Sequence, residues 1–179
     1  MNADTSKVLI TDEQINEMLD RVSSEINRDY EGRELVVIGI LTGAYIFTAD
    51  LTRRLTMPVN VDFMQVSSYQ GTRSTGILTI RKDLTVDVQD QDVLVVEDII
   101  DTGRTLALLR EELYGRGAKS VKLCAAFDKP ARRIIDIVPD YRGIVVPDEF
   151  IVGYGLDYNG QFRNIKNVRI CEVIDGRPE

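Results

Sequence analysis

The segment VLVVEDIIDTGRTL, Val93 to Leu106, constrains the fold more than any other part of the chain. Its consecutive apolar residues Val93 to Val96 have no polar face to give to water, so they predict a strand covered on both sides of a sheet. Glu97, Asp98 and Asp101 follow within five positions, and Thr-Gly-Arg-Thr then leads into Leu106, Leu109 and Leu113 at helical spacing. A buried strand that ends in acids and turns directly into a helix fits an open α/β sheet, where ligands bind beyond the carboxyl ends of the strands. The helix start offers backbone N–H groups and a positive dipole end, which together make an anion seat. Thr102 and Thr105 add hydroxyls, and Gly103 permits close approach of the backbone. Carboxylates repel the same anion, so Glu97 and Asp98 are expected to face another part of the ligand, such as vicinal hydroxyls. A sugar phosphate meets both demands. The plain alternative is a solvated strand end with an ordinary N-cap turn; the length of the run behind a covered strand favours the ligand.

Around this segment the chain alternates strand and helix patterns. Thr11 and Gln14 form a capping-box pattern before Ile15, Met18, Leu19, Val22 and Ile26, which predicts an amphipathic helix ending before Gly32. ELVVIGIL (34–41) reads as a second covered strand, and AYIFTADLTRRLTM (44–57) as the helix after it, closed by Pro58. VNVDFMQVSSY (59–69) alternates as a strand, QGTRSTG (70–76) is a polar loop, and ILTIRKDL (77–84) returns to strand character. The helix that begins at Thr105 is expected to end near Gly115 and Gly117, before the strand SVKLCAAF (120–127). Shorter strands are expected at 143–147, 150–154 and 168–174. With no linker or repeat, the expectation is one α/β domain over 1–179, built on an open, mainly parallel twisted sheet with helices on both faces.

Charge and composition exclude whole classes of function. The 22 basic and 29 acidic side chains leave a net charge of -7, so no overall positive field draws the chain to nucleic acid or anionic lipid. No apolar run approaches membrane-crossing length and the first residues lack a signal-like apolar core, so a cytoplasmic protein is expected. Cys124 and Cys171 lie in strand-like runs and read as buried thiols. The absence of histidine rules out Ser-His and Cys-His nucleophiles and His-ligated zinc. Acid–base work therefore falls to Asp, Glu, Lys or Tyr.

VLVVEDIIDTGRTL resembles the phosphoribosyl diphosphate (PRPP) binding motif of the type I phosphoribosyltransferases. DKPARR (128–133) and PDEFIVGYGLDYNGQFRN (147–164) resemble the hypoxanthine-guanine phosphoribosyltransferases specifically. With LTGA (41–44) and SSYQGTRSTG (67–76), the similarity runs from residue 34 onward. It implies the type I core with a small β-rich hood from the terminal segments, largely 128–179, and a mobile lid at 67–76 that carries Ser68 and Tyr69. The implied reaction is purine salvage: transfer of phosphoribosyl from PRPP to a 6-oxopurine, giving a purine nucleotide and pyrophosphate.

The resemblance assigns roles residue by residue. Glu97 and Asp98 hold the ribose hydroxyls with a shared magnesium ion, for which manganese is a substitute, and Asp101 is the general base. Thr102, Gly103, Arg104 and Thr105 bind the 5′-phosphate. Thr42, Gly43, Arg133 and Arg163 contact pyrophosphate. Lys129 donates to the purine O6, Tyr141 stacks on the base, and Asp148 serves a second magnesium site beside it. Two positions depart from the family pattern. Thr42 stands where a basic residue is common, leaving that loop to its backbone amides. Arg142 replaces an apolar residue beside the base; its side chain is expected to point to solvent, the alternative being a preference for a 2-oxo base such as xanthine. A homodimer or homotetramer is implied, with no nucleic-acid or membrane partner. Rival readings are a nucleic-acid-binding regulator that keeps this fold, a phosphoribosyltransferase for uracil, orotate or adenine, and a non-enzymatic assembly protein.

Overall fold

The computed structural model describes residues 3–68 and 78–173. Its centre is the strand β6 (Asp92–Ile100), whose Val93 to Val96 are fully buried between two apolar layers. On one side it pairs with β3 (Leu35–Ile40) and on the other with β7 (Ser120–Asp128), both parallel. β4 (Val59–Ser68) lies parallel outside β3, and β5 (Leu78–Lys82) closes that edge antiparallel. β8 (Tyr141–Val145) forms the other edge, so the sheet order is β5-β4-β3-β6-β7-β8. Continuous apolar strands occupy the middle because only there are both faces covered.

The helices cover those faces unequally. α1 (Asp12–Asp29) starts at Thr11, whose side chain and that of Gln14 form a reciprocal capping box, and it buries Ile15, Met18, Leu19, Val22 and Ile26. These pack with Phe47 and Leu51 of α2 (Tyr45–Thr52) against Leu35, Val37, Leu94 and Val96. α3 (Arg104–Gly115) covers the opposite face, with Leu106, Leu109 and Leu113 against Val36, Ile38, Val93 and Val95.

The expected helix over 44–57 is shorter in the structure, ending at Thr52. Helix propensity loses there to α1: Arg54 bonds Asp20 at 2.9 Å and Asn16 at 2.8 Å, and its carbonyl accepts from Asn27 at 3.0 Å. The main chain is thereby drawn across α1 before Pro58 is reached.

The hood draws on both ends of the chain. β9 (Ile151–Val152) and β10 (Val168–Ile170) pair antiparallel, and β10 also takes β2 (Val8–Ile10) on its other side. A second small ladder joins β1 (Ala3–Asp4) to β11 (Glu172–Val173). Among the described residues no helix is long and apolar enough to cross a membrane.

Candidate active site

The cleft opens where β6 leaves the sheet. It encloses about 320 Å³ between Thr42 and Gly43 of the loop after β3, Glu97 to Gly103 with Thr105, and Asp157 and Arg163 of the hood. Backbone proximity shapes it. A Cβ on Gly43 would stand 1.5 Å from Asp98 Oδ2, so only glycine lets that loop lie on the acid; the Leu41–Thr42 peptide beside it is cis. Gly103 has φ +82°, and a Cβ there would meet Ile137 Cγ2 at 2.5 Å. Gly103 is the N-cap of α3 and brings no side chain of its own; Thr102 Oγ1 accepts from the Arg104 N–H at a long 3.5 Å, and the positive end of the helix lies at the cleft.

The acids differ in environment. Burial raises the pKa of Glu97 well above the usual carboxylate range, and the adjacent Asp98 charge adds to the effect. Asp98 is likewise raised by burial. Two neighbouring carboxylates withdrawn from water favour holding a proton between them unless a cation replaces it. Such an all-oxygen, anionic donor pair suits a hard divalent cation that takes its remaining ligands from substrate or water. Among the described residues no group of three or more potential metal ligands is present.

Asp101 is arranged for another task. Its Oδ1 is buried with no hydrogen-bond partner, and its Oδ2 lies 3.5 Å from Arg132 Nη1. An unpaired buried acceptor costs roughly 1–3 kcal/mol. Asp101 also lines the cleft, where a donor on a ligand would relieve that cost.

Several expected side chains are placed elsewhere. Tyr141 does not reach the cleft: it is buried against the α1 layer, and its hydroxyl donates to Asp29 Oδ2 at 3.0 Å. The alternation of β8 turns it to the sheet face that α1 covers. Asp148 does not join Glu97 and Asp98; it sits 3.8 Å from Arg132 and 4.0 Å from Lys129, on the exposed flank. Arg133 is turned inward, with Nε donating to the Asp101 carbonyl at 3.0 Å and the guanidinium paired to buried Asp128. Its donors are occupied within the protein rather than offered to pyrophosphate. Arg142 lies 3.7 Å from Asp128 with about half its side chain exposed, and it is not among the cleft-lining residues. Arg104 is exposed at the first turn of α3, also outside the lining. Lys129 is buried, its ammonium donating to the Glu149 carbonyl at 2.7 Å. Of the expected lid, residues 69–77 with Tyr69 fall outside the described residues; Ser68 ends β4, its backbone opposite Leu78.

Two residues escaped the sequence reading. Asp157 lines the cleft and binds Arg163 at 2.7 Å, while Arg163 also donates to the Gly155 carbonyl at 2.7 Å. Phe150 is 36% exposed beside the Glu149 carbonyl that Lys129 holds, and its ring meets Tyr158 edge-on. An acid in a glycine-rich tail and an aromatic after PDE were the available signals, and neither is distinctive without the fold.

Sheet, acidic strand end and glycine-led helix start define a site of the phosphoribosyltransferase class, and residues 10–159 match the phosphoribosyl transferase domain model. The bifunctional protein TilS/HprT of Listeria monocytogenes is 48% identical over 173 residues, covering 96% of this chain. The chain spans only 27% of that relative's length. A hypoxanthine-guanine phosphoribosyltransferase of Streptococcus pneumoniae is 41% identical, with 94% of each chain covered. The crystal structure of a hypoxanthine-guanine phosphoribosyltransferase from Bacillus anthracis superposes with a TM-score of 0.90 at 39% identity, covering 96% of this chain and 100% of that one. The chain belongs to the hypoxanthine-guanine phosphoribosyltransferase family.

Proposed function

We propose that the protein transfers the 5-phosphoribosyl group of PRPP to N9 of hypoxanthine or guanine, giving IMP or GMP and pyrophosphate in purine salvage. The observation that carries this reading is the half-buried Glu97–Asp98 pair set directly before the glycine-led start of α3 in one cleft. Hydroxyl recognition and phosphate seating need opposite charges a few residues apart, and few other ligands do.

In this mechanism Glu97 and Asp98 accept from the ribose hydroxyls, and Thr102, Gly103 and Thr105 seat the 5′-phosphate with the amide groups of α3. The Gly43 loop and Arg163 receive the departing pyrophosphate, Asp157 holding the guanidinium at 2.7 Å. Bound magnesium, held by Glu97 and Asp98, would supply positive charge to the leaving oxygens. Loss of pyrophosphate builds cationic character on the ribose ring, and Asp101 takes the N7 proton as N9 bonds to C1, so no covalent enzyme intermediate is required. Lys129 donates to O6, a contact that an amino group in that position cannot accept. Phe150 replaces Tyr141 as the stacking surface, because its ring is exposed beside the main chain that Lys129 pins.

The test supplies PRPP and magnesium with hypoxanthine, guanine, xanthine, adenine and uracil in parallel, and measures nucleotide and pyrophosphate. Product with 6-oxopurines alone is expected, with xanthine not favoured because Arg142 pairs with Asp128. Folded protein that binds PRPP yet turns over none of the panel overturns the reading.

A further inference from the structure

A proton acceptor needs an unoccupied lone pair, so its side chain cannot be fixed by many hydrogen bonds of its own. Asp101 meets that condition, with Oδ1 unpartnered. Apart from Arg132 Nη1, 3.5 Å from its Oδ2, Asp101 is held through the main chain, and the side-chain bonds that hold that main chain come from Arg133. Nε of Arg133 donates to the Asp101 carbonyl at 3.0 Å and Nη2 to the Ile100 carbonyl at 3.5 Å, while Nη1 donates to the carbonyl of Ile137. The stem of Arg133 packs where a Cβ on Gly103 would stand, 3.1 Å from its Cδ. The other wall of the guanidinium is Asp128, whose side chain is 3% exposed and which Arg142 approaches from outside at 3.7 Å.

Neighbouring backbone bonds stitch the same two segments together. Lys129 N–H donates to Ile100 at 3.0 Å, and the N–H groups of Ile134 and Ile135 donate to Thr102 at 3.0 and 3.1 Å. Among the described residues, the Arg133 guanidinium is the side chain that joins this seam to the carbonyl of the acceptor residue itself. A planar fork with several donors suits such a task, and a lysine ammonium does not reproduce it.

We propose that Arg133, clamped by Asp128, is a positioning residue for the proton-accepting Asp101. The two side chains touch no substrate; they hold the turn so that the Asp101 carboxylate meets the purine nitrogen. This rests on the transferase reading above. Displacement of an acceptor by about 1 Å costs on the order of a hundredfold in rate.

The experiment compares wild type with Arg133→Lys, which keeps a charge for Asp128 and loses the fork. Hypoxanthine is run beside 8-azahypoxanthine, whose extra ring nitrogen makes the N–H more acidic and its removal less dependent on a well-placed base. Expected is a kcat for hypoxanthine lowered about ten- to a hundredfold, with KM for PRPP held within about threefold and a clearly smaller deficit for the aza base. Equal deficits on both bases, an unchanged kcat, or a PRPP KM that rises in step with the loss of kcat overturns the proposal. If Arg133→Lys does not fold, Asp128→Asn decides by the same comparison. Absence of transfer by wild type itself counts against the transferase reading, and so is distinguished from a failure of this one.

Discussion

Two carboxylates three residues apart do different chemistry because their surroundings differ. Asp98 is half-buried against Glu97 in the cleft wall, whereas Asp101 has one oxygen without a hydrogen-bond partner. Asp101→Asn removes the acceptor without changing shape, and kcat is expected to fall by about 10²–10⁴ with unchanged circular dichroism and PRPP affinity. The acid pair has a thermodynamic signature as well. Above the ordinary carboxylate range, roughly pH 4, the unfolded chain has released protons that the native pair still holds, so the native state binds more protons and loses stability as pH rises through that window. In the metal-free protein this trend is expected in thermal melts from about pH 4 upward. The double variant Glu97→Gln, Asp98→Asn is expected to flatten it, and a slope unchanged by that variant would assign the effect elsewhere.

At the scale of elements, local signals succeeded where one element determined its own geometry. The capping box at Thr11 and Gln14 and the apolar stripe behind it were readable because both operate within a few residues. Thr11→Ala is expected to cost about 1 kcal/mol, read as a lower denaturation midpoint with the m-value unchanged. The end of α2 was not readable, because residues on α1 that bind Arg54 lie 34 and 38 positions away. Tyr141 failed for a related reason. An aromatic at a strand start faces ligand or core according to the pleat, and here the pleat turns it to Asp29, 112 positions distant.

Across the whole molecule, the N-terminal strands complete the small sheets of the hood. Arg169 donates to the Thr5 carbonyl at 3.1 Å and Ile170 N–H to the Lys7 carbonyl at 3.0 Å, each worth about 1 kcal/mol. Removal of residues 1–10 is expected to raise KM for hypoxanthine more than KM for PRPP, since the PRPP-facing turn belongs to the six-stranded sheet. Steady-state kinetics with each substrate varied in turn would measure the split, and equal changes in both would contradict it.

The amino-acid sequence alone determined the sheet class, the central strand and the turn with Glu97, Asp98, Asp101 and Gly103, because a covered strand and its exit are contiguous chain. Only the tertiary structure decided that Arg133 faces Asp128, that Asp157 rather than Asp148 lines the cleft, and that Phe150 rather than Tyr141 stays open. Those choices depend on which residues meet after the hood folds back over the sheet, and no spacing along the chain encodes that meeting.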